Sequence, residues 1–273
     1  MYGVLMYALV GVSAELAEQL VAIETGGHDA VHQARTRVRR LRSILSVYRK
    51  AFDREEARRM RARLARLGER LGDVRDREVR SRDLEDLLQA ESSPELVDAV
   101  EALAAEERAA HGRALDELLR HLRGRRHREL MADLQRFAAD PPLTKAGRKH
   151  PGRVAGKGLA KAVARVHRTG GTSLEERHEL RKSARRLRYA AEAVIDDRGR
   201  RAVRLAAAAE AVHDRLGAHR DLVLLGRHLR ERTAEQELGP AATTGIAMLA
   251  AECDRRAEEH LDGLDEALDA IEW

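Results

Sequence analysis

One arginine-rich segment occurs twice in this chain. Residues 32–42 read HQARTRVRRLR and residues 178–188 read HELRKSARRLR. Aligned at their histidines, they place Arg35 on Arg181, Thr36 on Lys182, Arg39 and Arg40 on Arg185 and Arg186, and Arg42 on Arg188. A second pair follows each copy, RLGDVRD at 70–76 and RLGAHRD at 215–221. A duplication of this kind constrains the fold, because whatever one copy forms the other must form too.

The conformation they share is helical. On a helix, Val31, Ala34, Val38, Leu41, Leu45 and Tyr48 make one apolar stripe. His32, Arg35, Arg39, Arg42 and Arg49 make a second stripe beside it. In the other copy, Leu180, Ala184, Leu187 and Ala191 lie beside His178, Arg181, Arg185 and Arg188. Arginines next to a packed seam line a cleft between helices rather than pointing into bulk water. Guanidiniums held together without carboxylates repel one another unless an anion neutralises them. Arginine's planar fork also fits phosphate oxygens two at a time.

The rest of the chain agrees with an all-α fold. Aromatic residues are 3% of it and charged residues 36%, a mix that favours helices over strands. Its 273 residues allow one large domain or two of about 130 residues each. The patterning predicts helices near 12–24, 29–51 with Asp29 as N-cap, 54–71 stopped by Gly72, 75–90, 94–122 and 125–139. A linker is expected over 140–152. Helices near 152–168, from a Ser173/Glu176 capping box through the second repeat, and near 199–216, 219–236 and 241–270 complete the plan. This divides the chain into a first helical half, 1–140, and a second, 141–273.

The net charge is only +5, but the charges are sorted. Residues 31–50 and 145–168 carry Arg and Lys without an acid, and residues 83–107 carry acids without a base. Arg153, Lys157, Lys161, Arg165 and Arg168 recur at helical spacing and form a third basic row. Arg59 and Arg204 are a weaker matched pair of cations. The single cysteine, Cys253, excludes an intramolecular disulfide and a cysteine-based zinc cage. The apolar start, MYGVLMYALVGV, reads as a core helix, too short for a membrane span and without the basic flank of a signal peptide. A soluble cytoplasmic protein is expected.

The motif H-x-x-R-x-x-x-R-R-L-R followed by R-L-G-x-x-R-D, present twice, resembles the CHAD domain family of histidine-bearing helical domains. That resemblance covers about residues 15–270. It implies two pseudo-symmetric helical bundles around a basic central channel and binding of inorganic polyphosphate at intracellular polyphosphate granules. Carried over position by position, it implies channel residues His32, Arg35, Arg39, Arg40 and Arg42, and His178, Arg181, Lys182, Arg185, Arg186 and Arg188. Arg153, Lys157, Lys161, Arg165, Arg59 and Arg204 are secondary candidates from the charge pattern. Some CHAD domains are fused to a triphosphatase domain marked by E-x-E-x-K. That motif does not occur here, so a binder without catalysis, cofactor or metal is expected.

Other readings are weaker. A general polyanion or nucleic-acid binder would use the same basic stripes, but four tyrosines, two phenylalanines and one tryptophan are too few for a stacking platform. His28-Asp29 and His213-Asp214 suggest a metal-dependent phosphohydrolase only superficially, since they do not occupy matching repeat positions. His121, His127, His150 and His167 lack metal-ligand spacing and are expected at the surface. Arg75-Asp76 and Arg220-Asp221 are expected to place each Asp as a helix cap or beside an arginine.

Overall fold

A computed structural model describes residues 2–89, 94–235 and 239–273. The described residues form α-helices and no named strand. The helices are α1 (Tyr2–Glu24), α2 (Ala30–Val47), α3 (Arg54–Gln89), α4 (Pro94–Leu122), α5 (Arg125–Ala139), α6 (Lys145–Lys149), α7 (Pro151–Arg168), α8 (Leu174–Glu192), α9 (Ile195–Glu235), α10 (Pro240–Glu259) and α11 (Leu264–Asp269).

The repeat helices form as their patterning requires. Ala34, Val38, Leu41 and Leu45 of α2 and Tyr48 at its C-terminal cap are buried, as are Leu180, Ala184, Leu187 and Ala191 of α8. These two faces pack against each other, and the Tyr48 hydroxyl donates to the carbonyl of Ala190. Ser173 and Glu176 make the expected capping box at the start of α8. Asp29 caps differently. It sits at φ 58°, its carbonyl accepts from the Gln33 N–H at 3.0 Å, and its carboxylate accepts from Gln33 Nε2 at 2.9 Å rather than from a backbone N–H of the first turn.

Several boundaries differ from expectation. Gly72 does not end a helix: α3 runs through it, because Leu64, Leu67, Leu71 and Val74 keep one buried stripe on both sides. Packing outweighs the small helix penalty of one glycine. α9 is likewise continuous through the second R-L-G-x-x-R-D segment, and its break falls at Gly199 (φ 53°, ψ −137°). Asp76 and Asp221 therefore lie inside helices and cap neither. The last expected helix is divided at Gly263, whose φ of 72° suits glycine. The segment expected as a linker at 140–152 is fixed in place. Phe52 and Leu143 make an antiparallel bridge, Asp53 N–H donates to Pro142 O, and Thr144 caps α6 by accepting from the Gly147 N–H at 3.0 Å.

Two compact units result, and neither matches a sequence half. One comprises residues up to Gly72, Leu118–His213 and Leu264–Trp273. The other comprises Asp73–Glu117 and Asp214–Gly263. The two repeat helices pack together inside the first unit, so these units are drawn from both sequence halves. In that unit α1 packs on α2 and α5, α2 on α8, and α7 on α8. The second unit has its own core, with Leu84, Val100, Leu103, Leu229, Ile246 and Ala250 buried. α1 is longer than expected, and by length and composition it could span a bilayer. Its Leu5, Leu9, Val12, Leu16, Leu20 and Ile23 are nevertheless buried at helical spacing within the first unit.

Close approach of α7 to α2 needs a small residue. A β-carbon at Gly158 would lie 2.9 Å from the Val47 carbonyl oxygen and 3.1 Å from Tyr48 Cδ1. Gly158→Ala is expected to destabilise the protein by about 1–3 kcal/mol through overpacking, measured as a shift in the denaturation midpoint at unchanged slope.

Candidate anion-binding site

The first unit gathers most of the arginines singled out by sequence. Arg39 of α2 and Arg185 of α8 are part-buried and face each other across the repeat seam, with Arg35 and Arg181 beside them. Burial, followed by repulsion from Arg185 and Arg35, pushes the Arg39 guanidinium down to about 9, well below the ordinary arginine range. Burial and then Arg181 push Arg185 down to about 10, against an opposing pull from Tyr189. His32 and His178 lie part-buried one turn before Arg35 and Arg181 on their helices.

A second group adjoins this one. Arg186 is lowered by burial, then by Arg165 and Arg61, and Arg61 is lowered by burial, then by Arg42 and Arg49. Arg42 itself is exposed. α3 makes room for these side chains. A β-carbon at Gly72 would lie 3.6 Å from Arg35 Nη2, and one at Gly68 would lie 3.8 Å from Arg42 Nη1.

Beside them opens a cleft of about 720 Å³. Arg49 and Lys50 line it from the end of α2, Arg153, Lys157, Lys161, Arg165 and Arg168 from α7, and Arg186 from α8. No Asp or Glu is among its described lining residues. Ser183, 3% exposed, also lines it, and its hydroxyl meets no protein partner. The basic row of α7 thus shares one cleft with the repeat helices.

Other predicted residues are placed differently. Arg40 pairs with Glu192 at 2.8 Å, and Arg188 pairs with Glu192 at 2.9 Å and Glu210 at 2.7 Å. Both guanidiniums sit over the Tyr189 ring, at 6.0 and 5.6 Å. Burial lowers Arg188, but its two glutamates outweigh that and leave it raised. Lys182 pairs with Glu179. Arg59 pairs with Glu56 on another face of α3, beside a cavity it shares with Arg63 and Asp133. Arg204 lines a cavity with Arg201 and Trp273, where the Arg201 guanidinium lies 4.6 Å from the indole centroid. Neither Arg59 nor Arg204 reaches the cleft.

The sequence missed Arg61. Its signal was a face of α3 shared with Ala65, Gly68 and Gly72, where small residues leave space for arginines of α2. Not every histidine is a plain surface residue. His127 is buried edge-on to His121, His150 lines the cleft, and His167 Nε2 lies 2.9 Å from the Ile271 carbonyl oxygen.

A model of the CHAD domain matches residues 12–230. The chain is 29% identical to "Uncharacterized protein Rv2226" of Mycobacterium tuberculosis, over 93% of this chain and 52% of that protein. The same values hold for its counterpart in a second strain, "Uncharacterized protein MT2285". The chain thus spans about half the length of these curated relatives. Among solved structures, PptA from Streptomyces chartreusis superposes with a TM-score of 0.82 at 18% identity, covering 98% of this chain and 99% of that one. The CHAD domain from the plant Ricinus communis gives 0.71 at 23% identity, covering 100% and 92%. These two likenesses show the all-α fold.

Arg39 offers a test of the electrostatics without any ligand. Its folded pKa lies below the unfolded value, so above about 9 and up to the ordinary arginine range the unfolded chain binds more protons and stability rises with pH. Arg39→Met should therefore be neutral or stabilising by about 1 kcal/mol at pH 8. Relative to wild type, it should gain less stability from pH 8 to pH 10, as measured by denaturant unfolding in chloride buffer.

Proposed function

The chain belongs to the CHAD domain family, and we propose that it binds inorganic polyphosphate along the arginine cluster and the adjoining α7 cleft without chemically altering it. The observation that carries this reading is eight Arg and Lys side chains around one cleft with no carboxylate among the described lining residues. An anion that brings many charges in a row relieves their repulsion and that of Arg39 and Arg185 at once. The α7 row runs from Arg153 to Arg168, about 22 Å at the helical rise, which suits an extended polymer better than a single phosphate. Arginine forks supply paired donors to phosphoryl oxygens, and the lysines add point charges. Hydrolysis would call for a carboxylate in the cleft as base or metal ligand, and the lining favours binding instead. Residence in the cytoplasm on polyphosphate granules follows from this reading.

The experiment is a competition titration at physiological salt, with long-chain polyphosphate against duplex and single-stranded DNA and released phosphate assayed in the same samples. Polyphosphate should bind in a manner DNA does not reverse, with no phosphate released. Equal displacement by DNA would make the site a general polyanion surface, and phosphate release would make the protein an enzyme. Affinity should fall steeply with salt as counterions are released. Arg39→Ala combined with Arg185→Ala should lower affinity by about 100-fold, on the scale of two lost charged hydrogen-bonding groups, with helicity unchanged in circular dichroism. Affinity should also fall once the pH passes about 9, where Arg39 loses its charge. A change between pH 5.5 and 8 would instead show His32 and His178 binding as cations.

A further inference from the structure

The duplication extends beyond the motif that reveals it. In the register that aligns His32 with His178, α1 falls opposite α7. Val4, Tyr7, Ala8, Gly11, Val12 and Glu15 then correspond to His150, Arg153, Val154, Lys157, Gly158 and Lys161. The second six line the 720 Å³ cleft, and the first six line a separate cavity of about 260 Å³. The correspondence continues on the repeat helices. Arg186 and Val47 line the cleft, while their mates Arg40 and Ala193 line the smaller cavity. The fold has therefore built the same cavity twice, once between α7, α8 and the end of α2, and once between α1, α2 and the end of α8.

The charges of the two copies are opposed. Where the cleft has Lys161, Ser46 and Lys50, the smaller cavity has Glu15, Glu192 and Asp196. Where the cleft has Arg153 and Lys157, the smaller cavity has Tyr7 and Gly11. The carboxylates act on the arginines that remain. Glu192 holds Arg40 and Arg188, and Glu15 accepts from Arg37 Nε at 2.9 Å. Arg186, the mate of Arg40, and Arg42, the mate of Arg188, make no ion pair among the described residues. At matching positions, Glu192 thus pairs with Arg40 and, together with Glu210, with Arg188, whereas Ser46 offers the cleft no carboxylate.

We propose that Glu15, Glu192 and Asp196 close the repeat-related cavity to polyanions, so that a chain built with two equivalent anion cavities carries one working site. The inference rests on the polyphosphate reading of the cleft. A short probe separates the copies, because long polymer would bridge neighbouring surfaces. Tripolyphosphate, titrated calorimetrically, should bind wild type once per chain. In Glu15→Lys, Glu192→Ser, Asp196→Lys the stoichiometry should rise to two, and it should return to one when Lys157→Glu and Lys161→Glu are added to remove the original cleft. Adding those two changes to wild type should abolish binding.

Glu192→Ser removes two ion pairs, so folding is checked by circular dichroism. The milder pair Glu15→Gln, Asp196→Lys keeps Glu192 and should still show a second site, at least tenfold weaker than the first. Two sites in wild type, or one site in both folded variants, would overturn the proposal while leaving the polyphosphate reading intact. Absence of any polyphosphate or tripolyphosphate binding by wild type would overturn both.

Discussion

Mutual repulsion between Arg39 and Arg185 is the constraint around which the first unit is arranged. Packing α2 on α8 through Leu41, Tyr48 and Leu187 brings the two guanidiniums together and partly out of water, and neither makes an ion pair with a carboxylate among the described residues. Apolar burial along the seam holds the helices at that distance in spite of the charge. Gly68 and Gly72 let α3 lie over the arginines of α2 without displacing them. The result is a surface whose charge is fixed by the core beneath it.

That arrangement explains why carboxylates occur where they do. On the flank of Arg40 and Arg188, Glu192 and Glu210 compensate the cations and Tyr189 supports both with its ring face. On the flank of Arg186 and Arg165 no ion pair forms among the described residues, and burial with like charge from Arg165 and Arg61 outweighs the pull of Glu179 and lowers Arg186. Two sequence motifs that read almost alike therefore end in opposite electrostatic settings. The determinant lies in neighbours such as Ser46 and Glu192, outside the motif.

Much of the fold was legible because helix signals are local. The capping box at Ser173, the span of α5 and the apolar stripes of α2 and α8 depend on residues a few positions apart. Gly72 misled because its effect depends on Leu71 and Val74 packing around it, a tertiary matter. The two compact units were not legible for a related reason. Repetition in sequence says that two segments fold alike, but not that each folds by itself, and here the copies pack on one another. In the candidate site, the rows on α2, α7 and α8 could be read from spacing. Arg61 could not be read so directly, because α3 is arginine-rich on several faces and only the position of α2 selects one of them. The pairing of Arg40 and Arg188 was hidden for the same reason, since Glu192 and Glu210 lie outside the motif.

Trp273, the single tryptophan of the chain, rests against Arg201, with His167 reaching the backbone two residues before it. Its emission has no second indole to mask it. The fluorescence of the unlabelled protein thus reports one place, the seating of residues 271–273 on α7 and α9, and supplies an optical gauge of that junction independent of global helicity.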